Sequence, residues 1–161
     1  MQDIQLKVGE EAEEIPGYLL WQVSKLWQRA LNAALSDLGM SSTQAVILIN
    51  VPRLNQERKT VTQMALAEVT KIDRMTISQS IRTLERKGLI KRVVAENNKR
   101  AYHVELTTVG KTVSMQAIKR IIAAHEAFFS SLADDTGQYV TLTQQLIKAN
   151  NIMEGTHETN N

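Results

Sequence analysis

Apolar side chains recur every three or four positions from Ile15 through Leu19, Val23, Leu26, Ala30 and Ala34 to Leu38. That spacing is one face of an α-helix. Leu20, Trp27 and Leu31 widen the stripe, so this helix is expected to touch more than one neighbour. Gly39 suits its C-terminal stop. Ser41 and Gln44 then form the ends of a capping box ahead of the apolar run at 45–51, which predicts a second helix. Pro52 is expected to end or kink that helix, because its ring meets the carbonyl of Leu48. Residues 55–60 read as a charged surface loop.

Downstream, Thr62 is placed to cap a short helix containing Met64, Ala65, Leu66 and Val69. Lys71 and Ile72 make a tight turn, and Asp73 caps a further helix with Ile77, Ile81 and Leu84 on one face. Gly88 suits the left-handed residue at its end. Beyond Gly88 the period falls from 3.6 to 2. Residues 89–94 are strand-like, and Tyr102, Val104 and Leu106 alternate with Ala101, His103 and Glu105. The polar residues 95–100 between them predict a hairpin turn. Thr107 or Thr108 caps a long helix with Val113, Ala117, Ile118, Ile121, Ile122, His125 and Phe129 near one side. Residues 134–137 break it, and a last helix carries Tyr139, Leu142 and Leu146.

Two helices joined by a tight turn, then a hairpin with a basic tip, predict a winged helix-turn-helix. The expected fold is mainly α with a small β-wing. A DNA-binding domain at 40–108 is flanked by dimerisation helices at 15–38 and 109–150, a flexible acidic arm at 1–14 and a disordered tail at 154–161. Dimerisation follows because the apolar stripe over 109–150 is too large to bury within one chain.

Charge sharpens this picture. The net charge of +2 hides a basic middle: residues 53–100 hold twelve Lys and Arg against five Asp and Glu, and the rest hold seven against twelve. A basic segment between acidic flanks suits one face meeting a polyanion. The chain has no cysteine, which excludes disulfides, thiolate metal sites and cysteine nucleophiles. His103, His125 and His157 have no metal-ligand spacing, so neither metal nor cofactor is expected. No phosphate-cradling glycine loop, paired-carboxylate motif or serine–histidine constellation argues for an enzyme. No apolar run reaches the ~18 residues needed to cross a bilayer, and the acidic N-terminus has the wrong charge for a secretory signal, so a cytoplasmic address is expected.

The helix that starts after Asp73 carries the candidate chemistry. With Ile77, Ile81 and Leu84 buried, its other face offers Arg74, Met75, Thr76, Ser78, Gln79 and Arg82. In the major groove Arg can bridge guanine, Gln can bridge adenine, and Met or Thr can meet a thymine methyl. Arg86, Lys87, Lys91 and Arg92 suit phosphates, with Thr62, Lys99 and Arg100 completing the backbone-contacting set. An aromatic content of 4% argues against a base-stacking single-strand binder.

Residues 62–92, TQMALAEVTKIDRMTISQSIRTLERKGLIKR, together with NKRAYHVELT at 98–107, resemble the multiple antibiotic resistance regulator (MarR) family. The matching positions are Leu84-Glu85, Gly88-Leu89-Ile90, Arg92, Arg100 and Leu106-Thr107; GMSSTQAVIL from Gly39 also resembles the family's second-helix entry. The resemblance implies that the helix after Asp73 reads the major groove and that Arg100 enters the minor groove from the wing tip. It implies that the first and last two helices intertwine in a homodimer. It further implies a repressor on a pseudo-palindromic operator, relieved by a small ligand. One position departs: Asn98 stands where the family has an aspartate that braces the arginine two residues on, and Glu96 is placed to compensate in part. Tyr18, Trp21 and Trp27 either line an effector pocket, as the resemblance implies for this helix, or pack in a core or dimer. The competing reading of the whole is a winged-helix protein-interaction module without specific DNA binding.

Overall fold

Four hydroxyl or carboxylate caps set the helix starts around which the molecule is organised. A computed structural model describes residues 14–56, 60–95 and 98–157. Its elements in order are α1 (Pro16–Ala34), α2 (Ser42–Gln56), α3 (Gln63–Thr70), α4 (Arg74–Arg86), β1 (Ile90–Ala95), β2 (Asn98–Leu106), α5 (Thr108–Phe129) and α6 (Thr136–His157). At α2 the capping box closes reciprocally: Gln44 N donates to Ser41 Oγ at 3.2 Å and Ser41 N to Gln44 Oε1 at 3.4 Å. Thr62 Oγ1 accepts from Ala65 N at 3.1 Å and Asp73 Oδ1 from Thr76 N at 2.8 Å, starting α3 and α4. Thr107 Oγ1 accepts from Gly110 N at 2.9 Å and donates to the Gly88 carbonyl at 2.7 Å, so one side chain starts α5 and ties it to the end of α4.

Several expectations are corrected. Pro52 does not end α2, which continues to Gln56. The lost hydrogen bond and ring clash cost about 3 kcal/mol, but Leu48, Val51 and Leu54 on that stretch are all fully buried. Each such burial contributes about 1.5–3 kcal/mol, enough to hold the helix together across the proline. The hairpin turn is shorter than expected, since Ala95 still pairs with Asn98 after a register shift that follows the Val94–Tyr102 pair. The break between α5 and α6 begins earlier than expected: a 3-10 segment, Ser130–Asp135, carries Ala133 at φ 42°, ψ −117°. The helical backbone of α6 reaches His157, beyond the expected tail boundary at 154. Residues 1–13, most of the expected arm, and 158–161 lie outside the described residues.

The described chain divides into two compact units within α5, after Ala124. In the first, one core joins Leu35, Ile47, Leu48, Val51, Leu54, Val61, Leu66, Ile77, Ile81, Leu84, Ile90, Val104 and Ala117. The strands pair antiparallel, Ile90 opposite Leu106, and Val104 N donates to the Val61 carbonyl at 2.8 Å, anchoring the hairpin to the segment before α3. An ion pair from Arg120 to Asp37 fastens α5 to the turn after α1. The second unit holds the end of α5 and α6, where His125, Phe129 and Tyr139 form a ring cluster with successive centroids 4.8 and 5.5 Å apart.

Gly110, in the first turn of α5, packs against the backbone of Leu89, the residue just before β1. A Cβ there would stand 1.8 Å from the Leu89 carbonyl oxygen, a backbone atom that cannot swing aside. Gly110→Ala should therefore lose about 1–3 kcal/mol or more in urea unfolding, as overpacked sites do. Gly17→Ala, whose Cβ meets nothing within 4 Å, should lose none.

Candidate nucleic-acid interface

The turn between α3 and α4 aims the site. Lys71 adopts the left-handed conformation at φ 56°, and Thr70 Oγ1 donates to the Leu66 carbonyl at 2.6 Å. Asp73 then caps α4; the Thr76 hydrogen bonds hold its carboxyl below the usual range. Ile77, Ser80, Ile81 and Leu84 are buried, which fixes the rotation of α4 about its own axis.

That rotation sorts the expected base readers. Arg74, Met75, Gln79 and Arg82 are exposed, while Thr76 and Ser78 are half-buried. At 3.6 residues per turn, Met75, Gln79 and Arg82 fall in one sector about 60° wide opposite the buried side, Ser78 lies at its edge, and Arg74 and Thr76 flank it. Arg86, expected on phosphates, shares this sector one turn further on and donates to Thr83 Oγ1 at 3.2 Å. Met75 is 80% exposed. Among the described residues neither Arg74 nor Arg82 has an ion-pair partner.

The expected phosphate contacts are distributed differently. Lys87 turns back, its Nζ donating to the Gly39 carbonyl and to Gln44 Oε1, and so pins α4 to the start of α2. Lys91 pairs with Glu105 at 2.9 Å, and His103 Nε2 lies 3.1 Å from the same carboxylate. These two partners hold the Glu105 carboxyl below its ordinary range, Lys91 first. Arg92 forms an ion pair with Glu85, with Nε to Oε2 at 2.8 Å, and its guanidinium lies 5.1 Å from the centre of the Tyr102 ring. Sequence reasoning missed these acidic partners because each lies across a strand pair or an inter-element turn. Thr62 is committed to capping α3. Lys99 and Arg100 lie on the β2 backbone; their side chains, and that of Asn98, fall outside the described residues, as does Glu96.

Of the expected effector residues, Tyr18 and Trp21 stack with centroids 6.2 Å apart and both are exposed. Trp21 borders a shallow depression of about 330 Å³ with Gln22, Lys25, Leu26 and Arg29, and Trp27 is not among its lining residues. A larger cleft of about 780 Å³ opens between the end of α2, the end of β2 and α5, lined by Pro52, Asn55, Gln56, Glu105, Leu106, Lys111, Ser114, Met115 and Ile118. No periodicity or motif marks it, since its walls come from three separate stretches of chain. Among the described residues no group of three or more His, Asp and Glu side chains is placed to hold a metal ion. None of the described helices is long and apolar enough to cross a membrane.

Comparison with known proteins decides the family. A sequence model described as MarR family matches residues 38–101, which span the helix-turn-helix and most of the hairpin. The uncharacterized HTH-type transcriptional regulator YdcH of Bacillus subtilis (strain 168) is 32% identical over 133 residues, covering 83% of this chain and 90% of that protein. The chain belongs to the MarR family. It is a MarR-family transcription regulator with a winged helix-turn-helix fold. Among solved structures, the C80S mutant of MarR from E. coli complexed with operator DNA is 26% identical with a TM-score of 0.73, covering 86% of this chain and 98% of that one. Wild-type E. coli MarR in its apo form is 25% identical with a TM-score of 0.69, covering 82% and 96%.

The Asp73 cap generates a pH prediction. Its carboxyl has a folded-state pKa depressed below the ordinary value of 3.8, so its contribution is complete above that value and is lost as pH falls through the folded pKa. Asp73→Ala should be less stable than the parent chain at pH 6. The gap should close as the pH is lowered below 3.8, followed by urea unfolding at each pH.

Proposed function

We propose that this MarR-family chain acts in the cytoplasm as a homodimeric repressor that reads a pseudo-palindromic operator in duplex DNA and is relieved by a small molecule. The observation that carries the reading is the outward sector of α4. Met75, Gln79 and Arg82 stand exposed there while Ile77, Ile81 and Leu84 lock the helix from behind. A helix held this way presents a hydrogen-bonding fork, an amide and a thioether to base edges, each good contact contributing about 1–3 kcal/mol of discrimination. Arg74 and Ser78 border the same face, Thr76 lies on its flank, and Arg86 extends it toward the adjacent phosphates. Lys99 and Arg100 on the hairpin would reach the neighbouring groove. That E. coli MarR has been seen with operator DNA supports this mode of action.

Homodimer formation is supported by apolar surface that one chain leaves open. Tyr18, Leu19, Leu20, Trp21 and Leu26 on α1 and Val140, Leu142, Leu146 and Ile147 on α6 are all at least 40% exposed. To read a pseudo-palindromic site, such a dimer would need its two copies of α4 about 34 Å apart, one turn of the duplex. For the effector, the α2–β2–α5 cleft offers a better volume than the depression beside Trp21. It would act through Glu105, which lines the cleft and also holds Lys91 and His103 of the hairpin.

A gel-shift salt series tests the DNA reading. A dimer making about 6–10 phosphate contacts should lose roughly 10³–10⁵ in affinity between about 50 and 200 mM salt. A flat response would favour a protein-interaction module instead. Arg74→Ala or Gln79→Ala should relax preference at one operator position and leave the salt slope nearly unchanged. Sedimentation should show a dimer at micromolar concentration; a monomer independent of concentration would remove the palindromic-operator argument.

A further inference from the structure

A chain of side-chain contacts runs from the end of the recognition helix, through the hairpin, to the start of α3. Glu85 on α4 accepts from Arg92 on β1, through Nε at 2.8 Å and through a second guanidinium nitrogen. The same guanidinium lies 5.1 Å from the Tyr102 ring centre on β2. The Tyr102 hydroxyl in turn accepts from Gln63 Nε2, on the first residue of α3. Four elements meet in this one series, and Gln63 directly follows the Thr62 cap.

We propose that Arg92 and Tyr102 are positioning residues that hold the wing and the recognition helix at one fixed mutual angle, and that Arg92 makes no phosphate contact. The proposal rests on the DNA-reading function above. Composition alone would place Arg92 on the DNA backbone, since it stands in the basic stretch beside Lys91. The geometry uses it otherwise. Nε and one terminal nitrogen of the guanidinium are directed at Glu85, its carbon lies over the Tyr102 ring, and its charge is balanced at close range. The Arg92 hydrogen bond is also the leading cause that lowers the Glu85 carboxyl. A planar fork offers a carboxylate two nitrogens along one edge while its flat face stacks on a ring, and a compact ammonium has neither that edge nor that face. If α4 and the hairpin must enter adjacent grooves together, loosening their mutual angle degrades the fit to one sequence before it weakens general attraction to DNA.

The test exploits that separation. Full-length parent chain, Arg92→Lys, Arg92→Gln and Tyr102→Phe are each titrated onto two duplexes. One is enriched from a random pool by the parent chain; the other is its shuffled counterpart of equal composition. Arg92→Lys keeps the charge, so a phosphate contact would be rescued and a positioning role would not. The expected result is a selected-to-shuffled affinity ratio reduced about tenfold in Arg92→Lys, the size of one lost base contact, with shuffled-duplex affinity and salt slope unchanged. Tyr102→Phe, which keeps the ring and loses the Gln63 link, should fall between. A merely structural defect would lower both affinities in proportion. Parent-like behaviour of Arg92→Lys, together with a salt slope reduced by about one in Arg92→Gln, overturns the proposal.

Amide hydrogen exchange on the DNA-free protein provides the independent arm. Exchange should quicken in β1 and in the last turn of α4 in Arg92→Lys, and unchanged protection there would overturn the proposal as well. If the parent chain enriches no sequence, the DNA-reading function fails, and hydrogen exchange still decides whether the contacts brace the hairpin.

Discussion

Burial of one side of the fourth helix is the constraint on which the rest depends. Ile77, Ile81 and Leu84 are each fully withdrawn from solvent into the core shared with α2, α3 and the hairpin. At about 1.5–3 kcal/mol apiece, that burial outweighs any tendency of a solvated, arginine-rich helix to roll. Because the inward face is fixed, the outward face is fixed too. The direction of Met75, Gln79 and Arg82 is therefore set by what is packed behind them, and a DNA-reading surface can be pre-formed in the free protein.

The links around that helix serve the same end. Asp73 begins it, Lys87 ties its last turn to the Gly39 carbonyl, and Glu85 ties it to the hairpin through Arg92. The end of α4 continues into Gly88 at φ 67°, whose carbonyl accepts from Thr107 at the start of α5. Gly110 allows the two backbones to close on each other there. A disturbance in the α2–β2–α5 cleft therefore has a short covalent and hydrogen-bonded route to the wing through Glu105, Leu106 and Thr107.

Much of this was legible in the sequence because caps and periodicity are local. Ser41 with Gln44, Thr62, Asp73 and Gly88 each declare a helix end by chemistry that acts within a few residues. The buried side of α4 follows from the spacing of three aliphatic side chains. That α2 runs on past Pro52 was not legible, because the local penalty is offset by the burial of Leu48, Val51 and Leu54, which only the assembled core provides. The fates of Lys87, Lys91 and Arg92 were hidden for a related reason. A basic run looks uniform along the chain, yet its partners Gly39, Glu105 and Glu85 are brought close only by folding. The cleft was invisible on the same grounds, since its walls come from α2, β2 and α5.

The most direct measurement is the NMR signal of the Met75 methyl group in full-length protein titrated with the enriched duplex. Met75 is 80% exposed in the free chain, so its methyl starts in water. The account predicts a large shift and line change on adding the selected duplex, little change with the shuffled one, and no comparable response from the buried Met40 methyl. A Met75 methyl that stays at its free position while the protein demonstrably binds the selected duplex would contradict the claim that this face of the helix meets the bases.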